Sequence, residues 1–98
     1  MKLETLLPLG KLDPGLREPG TPFDISRLAE DARLVESLGY DIVMFEETKH
    51  DPYVLTALAA QATTRLGIGS AVAIAFPRSP AVTAMSAWTL QKLSRGRF

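Results

Sequence analysis

Short apolar runs alternate with stretches of helical periodicity along the 98-residue chain, and this alternation restricts the possible folds more than any other feature. The connections from helix to strand are very short, Gly39–Tyr40 in one case and roughly Leu66 in the other, whereas those from strand to helix are longer and polar. This order predicts an α/β fold with parallel strands and with functional residues at the strands' carboxyl ends. The predicted strands are residues 2–7, 41–45 and 67–75, and the predicted helices are residues 24–38, 52–63 and 80–93.

Each predicted helix carries end signals. Asp24 precedes the first helix as an N-cap, and Gly39 stands where a left-handed residue commonly follows a helix. The pairs Asp51-Pro52 and Ser79-Pro80 combine a capping side chain with a proline in the first turn, where no intrahelical hydrogen bond is lost. The second helix is expected to bury Leu55, Leu58, Ala59 and Ala62, and the third groups Val82, Met85, Thr89 and Leu93 on one side.

Composition excludes several classes of protein. Eleven basic residues balance eleven acidic ones, so bulk charge gives no reason to expect nucleic acid or an anionic membrane as a partner. The absence of cysteine excludes thiolate chemistry, and the single histidine, His50, cannot form a metal site alone. There is no signal-peptide pattern, no run near the ~20 apolar residues of a membrane span and no glycine-rich phosphate loop. We therefore expect a cytoplasmic protein without a metal.

Three parallel strands alone would leave two open sheet edges, although a parallel sheet normally has its faces covered and its edges protected. Gly96–Phe98 has the pattern of a turn that leads into a further strand. We therefore expect residues 1–98 to be the N-terminal part of one larger domain. The alternative is a complete small domain that pairs its edges with a partner chain. Residues 10–22, rich in proline and glycine, predict a long loop of the kind that is often functional.

The third predicted strand, from Gly67 to Ala75, has one face made only of glycine and alanine. Because alternate residues face opposite ways, the bulky face, which includes Ile68, is expected under the helices. The small face then leaves room for a flat ligand, unless larger side chains from neighbouring strands fill it. Pro77 ends the pairing because it lacks an N–H. Arg78 follows on a rigid loop, where it either binds a phosphate or carboxylate with two prongs or is solvated.

The run EETKHDPY, residues 46–53, follows the second strand and gathers carboxylates, a hydroxyl, an amine, an imidazole and a phenol. Such polar density at a strand end is typical of an active-site rim. His50 is the best candidate for proton transfer because imidazole is the side chain that titrates closest to neutral pH. The competing interpretation is structural: Asp51 already caps a helix, and Glu46 and Lys49 can be solvated.

Five runs carry a family resemblance: KLETLL, ESLGYDIVMFEE, ETKHDPY, RLGIGSAVAIAFPRSPAVTAM and LQKLSRGRF. They are similar to the N-terminal part of the bacterial luciferase-like family of flavin- and deazaflavin-dependent oxidoreductases. The last three runs are the most specific, and they resemble the branch that uses the 8-hydroxy-5-deazaflavin coenzyme F420 more than the branch that uses FMN. The resemblance implies a (β/α)8 TIM barrel, of which this chain would supply the first three βα units with their parallel sheet.

The resemblance also implies redox chemistry on a ring held at the mouth of the barrel, where the protein binds and orients the cofactor. With coenzyme F420 the implied reaction is hydride transfer to or from a small organic substrate. With FMN, the alternative cofactor, it is monooxygenation. The 98-residue chain alone is expected to be inactive, and the oligomeric state of a longer protein stays open. A third alternative, from another class, is a non-catalytic α/β module whose sheet edges bind a partner.

Individual site residues are implied in the same way. Relatives often have a bulge in the third strand with a non-proline cis peptide behind the ring, and Ser70-Ala71 is the matching pair here. Relatives place a histidine or an acidic residue after the second strand, and His50 fits that place, with Lys49 among its other candidates. We therefore expect catalytic roles for His50 and Glu47 and cofactor contacts from Ser70, Ala71, Val72 and Thr48, with the phosphate-binding residues on later strands.

Overall fold

Three strands pair in parallel in the order in which they occur along the chain and alternate with helices, so the predicted α/β architecture is confirmed. The computed structural model describes residues 1–7 and 24–98, and the loop predicted at residues 10–22 lies outside them. The strands are β1 (Glu4–Leu7), β2 (Ile42–Phe45) and β3 (Gly67–Ser70), and the helices are α1 (Leu28–Ser37), α2 (Pro52–Ala62) and α3 (Pro80–Leu93), with a 3-10 turn at Ile25–Arg27 before α1.

The strand register gives the sheet one face against the helices and one open face. Glu4, Ile42 and Gly67 lie side by side, and residues at one level of a parallel sheet point to the same face. Phe45 is fully buried on the helix side, whereas Leu6 on the other face is 37% exposed. The core between sheet and helices consists of Leu7, Leu28, Ala32, Val35, Val43, Phe45, Leu55, Ala59, Ala60, Leu66 and Ile68.

The small face of β3 lies on the open side, as predicted, but part of its space is already filled. A Cβ atom built on Gly69 would lie 2.8 Å from Sδ of Met44, and one on Gly67 would lie 3.1 Å from Cγ1 of Ile42. Side chains of β2 therefore use the volume that these two glycines leave, as the alternative interpretation expected. At Gly67 and Gly69 the small face therefore does not leave room for a flat ligand.

Strand β3 ends at Ser70, whereas the sequence pattern predicted Ala75 as its end. The N–H of Ala71 still donates to the carbonyl oxygen of Phe45 at 2.9 Å, so regular pairing persists up to that point. Beyond it the chain contacts the loop after β2 instead of β2 itself. The face alternation predicted as far as Ala75 therefore does not hold past the end of β3.

An extra residue on the β3 side marks this change. The N–H of Glu47 donates to the carbonyl oxygen of Val72 at 3.2 Å, where a regular parallel ladder in the same register would use the carbonyl of Ala71. One additional residue on one strand is the mark of a bulge. The Ala71–Val72 peptide bond is cis, so the predicted position, Ser70-Ala71, was one bond too early.

The predicted end signals of the helices are confirmed, with one difference: Asp24 caps the 3-10 turn Ile25–Arg27, and α1 itself begins at Leu28. Side-chain caps satisfy backbone N–H groups that have no partner inside the first turn. Gly39 has a φ of 87°, the left-handed conformation that a glycine adopts without steric cost after a helix. The capping pairs, acceptor first, are Asp24 and the N–H of Ser26 at 3.0 Å, Asp51 and the N–H of Tyr53 at 2.8 Å, and Ser79 and the N–H of Val82 at 3.2 Å.

The buried stripe of α2 differs from the predicted one. Leu58 is 42% exposed, whereas Thr56 and Ala60 are buried. Helix α2 contacts both α1 and α3, so its buried surface is turned toward the helices on its two sides. The hydroxyl of Thr56 is satisfied within the helix because it donates to the carbonyl oxygen of Pro52 at 2.7 Å.

The apolar side of α3 is exposed over most of its length. Leu90 is the buried residue of this helix, whereas Val82, Met85 and Trp88 keep 50%, 67% and 67% of their surface exposed. Across the described ranges no helix is long and apolar enough to span a bilayer. The described part of the chain thus leaves the side of α3 that carries Val82, Met85 and Trp88 largely uncovered.

Arg97 joins the ends of α2 and α3 to the sheet. Its guanidinium makes five hydrogen bonds, and its own carbonyl oxygen accepts from the N–H of Ile68 at 2.9 Å, on the edge of β3 away from β2. The planar fork of arginine suits several fixed acceptors at once. The five acceptors are the carbonyl oxygens of Ala60, Thr63, Leu66 and Ser94 and the hydroxyl of Thr63, at 2.7–3.1 Å.

Glu36 connects α1 to the turn between α2 and β3. Its Oε1 accepts from three consecutive backbone N–H groups, those of Thr64, Arg65 and Leu66, at 3.0, 2.7 and 2.9 Å. Burial favours the neutral acid, but these three donors outweigh it and hold the pKa of Glu36 below its ordinary value of 4.5. The short connection into β3 therefore depends on a carboxylate from the neighbouring helix.

Replacing Arg97 with methionine should lower the free energy of unfolding by about 3 kcal/mol, because several backbone carbonyls lose their donor together. Arg97→Lys should recover only part of that loss, since one ammonium cannot reach all five acceptors. Urea unfolding of the protein measures the effect, with Arg33→Met on the exposed side of α1 as the matched control. Equal midpoints for Arg97→Met and Arg33→Met would contradict the assignment.

The Glu36 contacts should make stability depend on pH in a defined direction. Because the folded-state pKa lies below 4.5, the stabilisation is fully present above pH 4.5 and is lost as pH falls through the folded-state value. Glu36→Gln keeps an oxygen acceptor but removes the titration. The wild type should therefore exceed Glu36→Gln in unfolding free energy at about pH 7, and the gap should narrow by about pH 3. A gap independent of pH would refute this account.

Candidate functional site

The loops that follow β2 and β3 lie side by side at the carboxyl ends of the strands. Residues 46–51 form the first loop and residues 71–79 the second. Two backbone hydrogen bonds join them to each other and to the sheet: Ala71 N–H to the carbonyl of Phe45, and Glu47 N–H to the carbonyl of Val72. The two polar clusters that the sequence singled out therefore form one surface.

Arg78 lies at the centre of this surface. Its Nη1 donates to Oε2 of Glu47 at 2.7 Å and to the carbonyl oxygen of Ile74 at 2.8 Å, and its Nη2 donates to Oδ2 of Asp51 at 3.3 Å. Its side chain is only 15% exposed, so it is not the solvated loop arginine of one interpretation. It binds carboxylates, as the other interpretation expected, and both belong to this chain.

Tyr53 and Asp51 connect this ion pair to the start of α2. The guanidinium carbon of Arg78 lies 5.1 Å from the centre of the Tyr53 ring, within the range of a cation–π contact. Asp51 uses one oxygen to cap α2 and the other to accept from Arg78. The first turn of α2 and the loop after β3 are thereby held by the same side chains.

The electrostatics of the pair keep both partners charged. Hydrogen bonds, first from the Arg78 guanidinium and then from the N–H of Ile74 at 2.6 Å, hold the pKa of Glu47 below its usual range. The hydrogen bond to Glu47 is likewise the main cause that raises the pKa of Arg78. Glu47 is therefore a carboxylate at neutral pH, already engaged by two donors.

The other predicted site residues lie around this pair. Thr48 and His50 are exposed on the loop after β2. Across from them, Ser70 is half-buried at the end of β3, and Ala71 is exposed beside Val72, which keeps 75% of its surface exposed. The topology thus brings the six predicted residues to one edge of the sheet.

Sequence reasoning missed the contact between Glu47 and Arg78. The signal was available, because opposite charges followed two neighbouring strands that end at the same edge. Parallel strands that are joined by a helix commonly lie next to each other, so their trailing loops meet. No sequence pattern indicated that both charges would also bind the backbone N–H and carbonyl groups of Ile74.

The exposed surface of the second loop suits a flat, mostly apolar group. Val72 and Ile74 are 75% and 45% exposed, and Phe76 is almost fully exposed. The adjacent loop carries two exposed polar side chains, Thr48 and His50. Their hydroxyl and imidazole groups are suited to contacting the edge of such a flat group. In the described part of the chain no three histidine, cysteine or acidic residues cluster as a metal site would need.

Comparison with known proteins agrees with this geometry. The model of the family described as luciferase-like monooxygenase matches residues 1–98. Similar curated proteins include the uncharacterized proteins Rv1360 and MT1405 of two Mycobacterium tuberculosis strains and Mb1395 of Mycobacterium bovis. Each is 40% identical over 77 residues, which is 79% of this chain and 23% of the relative.

The chain thus spans about a quarter of the length of these curated relatives. Its three βα units correspond to the beginning of a barrel, with the polar loops at the end of the strands where barrel enzymes bind their ligands. A family match over every residue and this arrangement of strands and loops support one conclusion: the chain belongs to the luciferase-like monooxygenase family.

Proposed function

We propose that these 98 residues are the N-terminal part of a single luciferase-like barrel domain whose complete form is a redox enzyme acting on a small organic substrate. The observation that carries the proposal is the family match over all 98 residues. The half-exposed face of the sheet, with Leu6 and Met44 on it, supports it, because in a barrel this face is the interior. Family membership favours this enzyme over the non-catalytic interaction module.

The proposed cofactor is coenzyme F420, held by the loop after β3. Ser70, Ala71 and Val72 would contact one side of its ring, and the hydroxyl of Thr48 would reach a polar edge. The exposure of Val72 and the small size of Ala71 support a ring at this place, since a planar ring needs an apolar surface that it can approach closely. The choice of coenzyme F420 over FMN rests on the resemblance of the most specific runs to the branch that uses it. When bound, the cofactor would supply two-electron hydride transfer, and the protein would bind and orient it.

His50 is proposed as the group that holds or moves a proton beside the reacting ring. It is exposed on the loop after β2, next to the surface formed by residues 70–72. Glu47 was the other predicted catalytic residue. The hydrogen bonds that Glu47 accepts from Arg78 and from the N–H of Ile74 keep it ionised, which argues against Glu47 as the proton-transfer group.

FMN with monooxygenation is the second candidate function. It is favoured by the description of the matching family, luciferase-like monooxygenase. The same surface, with apolar side chains on one loop and polar groups on the other, suits either ring. Direct binding measurements therefore have to decide between the two cofactors.

The complete protein should bind coenzyme F420 more tightly than FMN. Val72→Asp should weaken that binding at least about tenfold, because a charge on the apolar contact surface is desolvated by the ring. Fluorescence titration with each cofactor measures both affinities, and Leu34→Asp on α1 is the control at an exposed leucine. Tighter binding of FMN would favour the second candidate, and binding of neither would refute the proposed function.

Replacing His50 with alanine should lower kcat by about 10²-fold while the cofactor dissociation constant stays nearly unchanged, as expected for a proton-transfer group. The measurement is turnover by the complete protein with a substrate identified by screening. Lys49→Ala, one residue earlier on the same loop, is the matched control. A large loss in Lys49→Ala with a normal rate in His50→Ala would transfer the role to Lys49.

A further inference from the structure

The ion pair between Glu47 and Arg78 holds the backbone of Ile74 on both sides. The N–H of Ile74 donates to Oε2 of Glu47 at 2.6 Å, and its carbonyl oxygen accepts from Nη1 of Arg78 at 2.8 Å. The same Oε2 and Nη1 atoms bind each other at 2.7 Å. Both polar backbone groups of one loop residue are thus bound by a single pair of charges.

The hold extends over the rest of this short segment. The N–H of Glu47 donates to the carbonyl oxygen of Val72, and the N–H of Ala71 donates to Phe45 at the end of β2. Residues 71–74 are therefore fastened at three of their four positions, and Glu47 contributes at two of these. A substitution of Glu47 or Arg78 should therefore loosen the backbone of all four residues, 71–74.

Both charges make most of their contacts within this chain. Both terminal nitrogens of Arg78 donate to acceptors of this chain, its guanidinium carbon lies 5.1 Å from the centre of the Tyr53 ring, and its side chain is 15% exposed. Oε2 of Glu47 accepts from two donors, and its side chain is 18% exposed. Most of the hydrogen bonds that this pair makes therefore hold the two loops together.

We propose that Arg78 and Glu47 are positioning residues, which fix the backbone of residues 71–74 for a planar ligand, and that neither binds the ligand's phosphate nor transfers a proton. The assignment of the ligand rests on the proposed function. The fastening of the loop rests on the hydrogen bonds alone. The two parts therefore predict separate measurements.

The first measurement is hydrogen exchange of the complete protein without cofactor. Arg78→Gln and Glu47→Ala should each speed exchange in peptides covering residues 70–78, and the double variant should add little, because either change breaks the same unit. Arg27→Gln is the matched control, since Arg27 forms an exposed ion pair of 3.7 Å with Glu30 in the first turn of α1. Unchanged exchange in both loop variants, or effects that simply add, would overturn the fastening.

The second measurement separates positioning from phosphate binding. Dissociation constants are measured for the cofactor that the wild type binds and for its phosphate-free form, which is riboflavin for FMN and 8-hydroxy-5-deazariboflavin for coenzyme F420. Arg78→Gln should weaken both forms by the same factor, about tenfold, through lost preorganisation. A loss confined to the phosphorylated form would make Arg78 an anion-binding residue and overturn the proposal.

A third comparison removes the effect of general stability. Glu36→Gln alters a carboxylate that holds another turn, away from these loops, and so provides a destabilised protein with an intact loop 71–79. It should leave cofactor affinity unchanged at a temperature where all variants are folded. An equal loss of affinity in Glu36→Gln would reduce the role of Arg78 to general stability and overturn the proposal.

A fourth result tests the role of Glu47 directly. Glu47→Gln should keep part of its activity with the identified substrate, because the amide oxygen still accepts from Ile74 and Arg78. Glu47→Gln as inactive as His50→Ala at saturating cofactor would indicate proton transfer by Glu47 and overturn the proposal. A wild type that binds neither cofactor would refute the proposed function and the cofactor role, whereas the exchange measurement would still decide the fastening.

Discussion

The parallel register of three short strands is the constraint on which the rest of the structure depends. It places Glu4, Ile42 and Gly67 at one level and therefore brings the carboxyl ends of β1, β2 and β3 to a single edge. Every loop that follows a strand then has to leave from that edge, and every helix has to return to the opposite one. The meeting of residues 46–51 with residues 71–79 follows from this geometry, before any side chain is considered.

The same register sorts side chains by face and explains why β3 is built from small residues. The helix side is closed by large buried groups such as Phe45, whereas on the open side Gly67 and Gly69 accommodate side chains of β2. The pattern of small residues suggested both close packing and a surface for a ligand, and these two roles belong to different parts of the segment. The glycines serve packing within the sheet, and the exposed surface suited to a ligand begins only after Ser70, in the loop.

Features set by neighbouring residues were the ones that sequence reasoning predicted well. The capping aspartates, Ser79 and Gly39 act within a few residues of themselves, so their patterns carry most of the information needed. The end of β3, the buried side of α2 and the bond between Glu47 and Arg78 were mispredicted or missed, because each depends on a segment distant in the chain. Local sequence patterns could not reveal these features, since the topology of the fold determines which distant segment each residue contacts.

Arg97 gives the fold a mechanical property that its separate contacts do not suggest. One residue holds the last turn of α2 and the end of α3 through its guanidinium, and the outer edge of β3 through its carbonyl oxygen. The ends of both helices and the outer edge of β3 are consequently connected through one residue. A displacement of α2 or α3 would therefore be transmitted to the start of β3, at the end opposite the polar loops, so these two helices and β3 should move together.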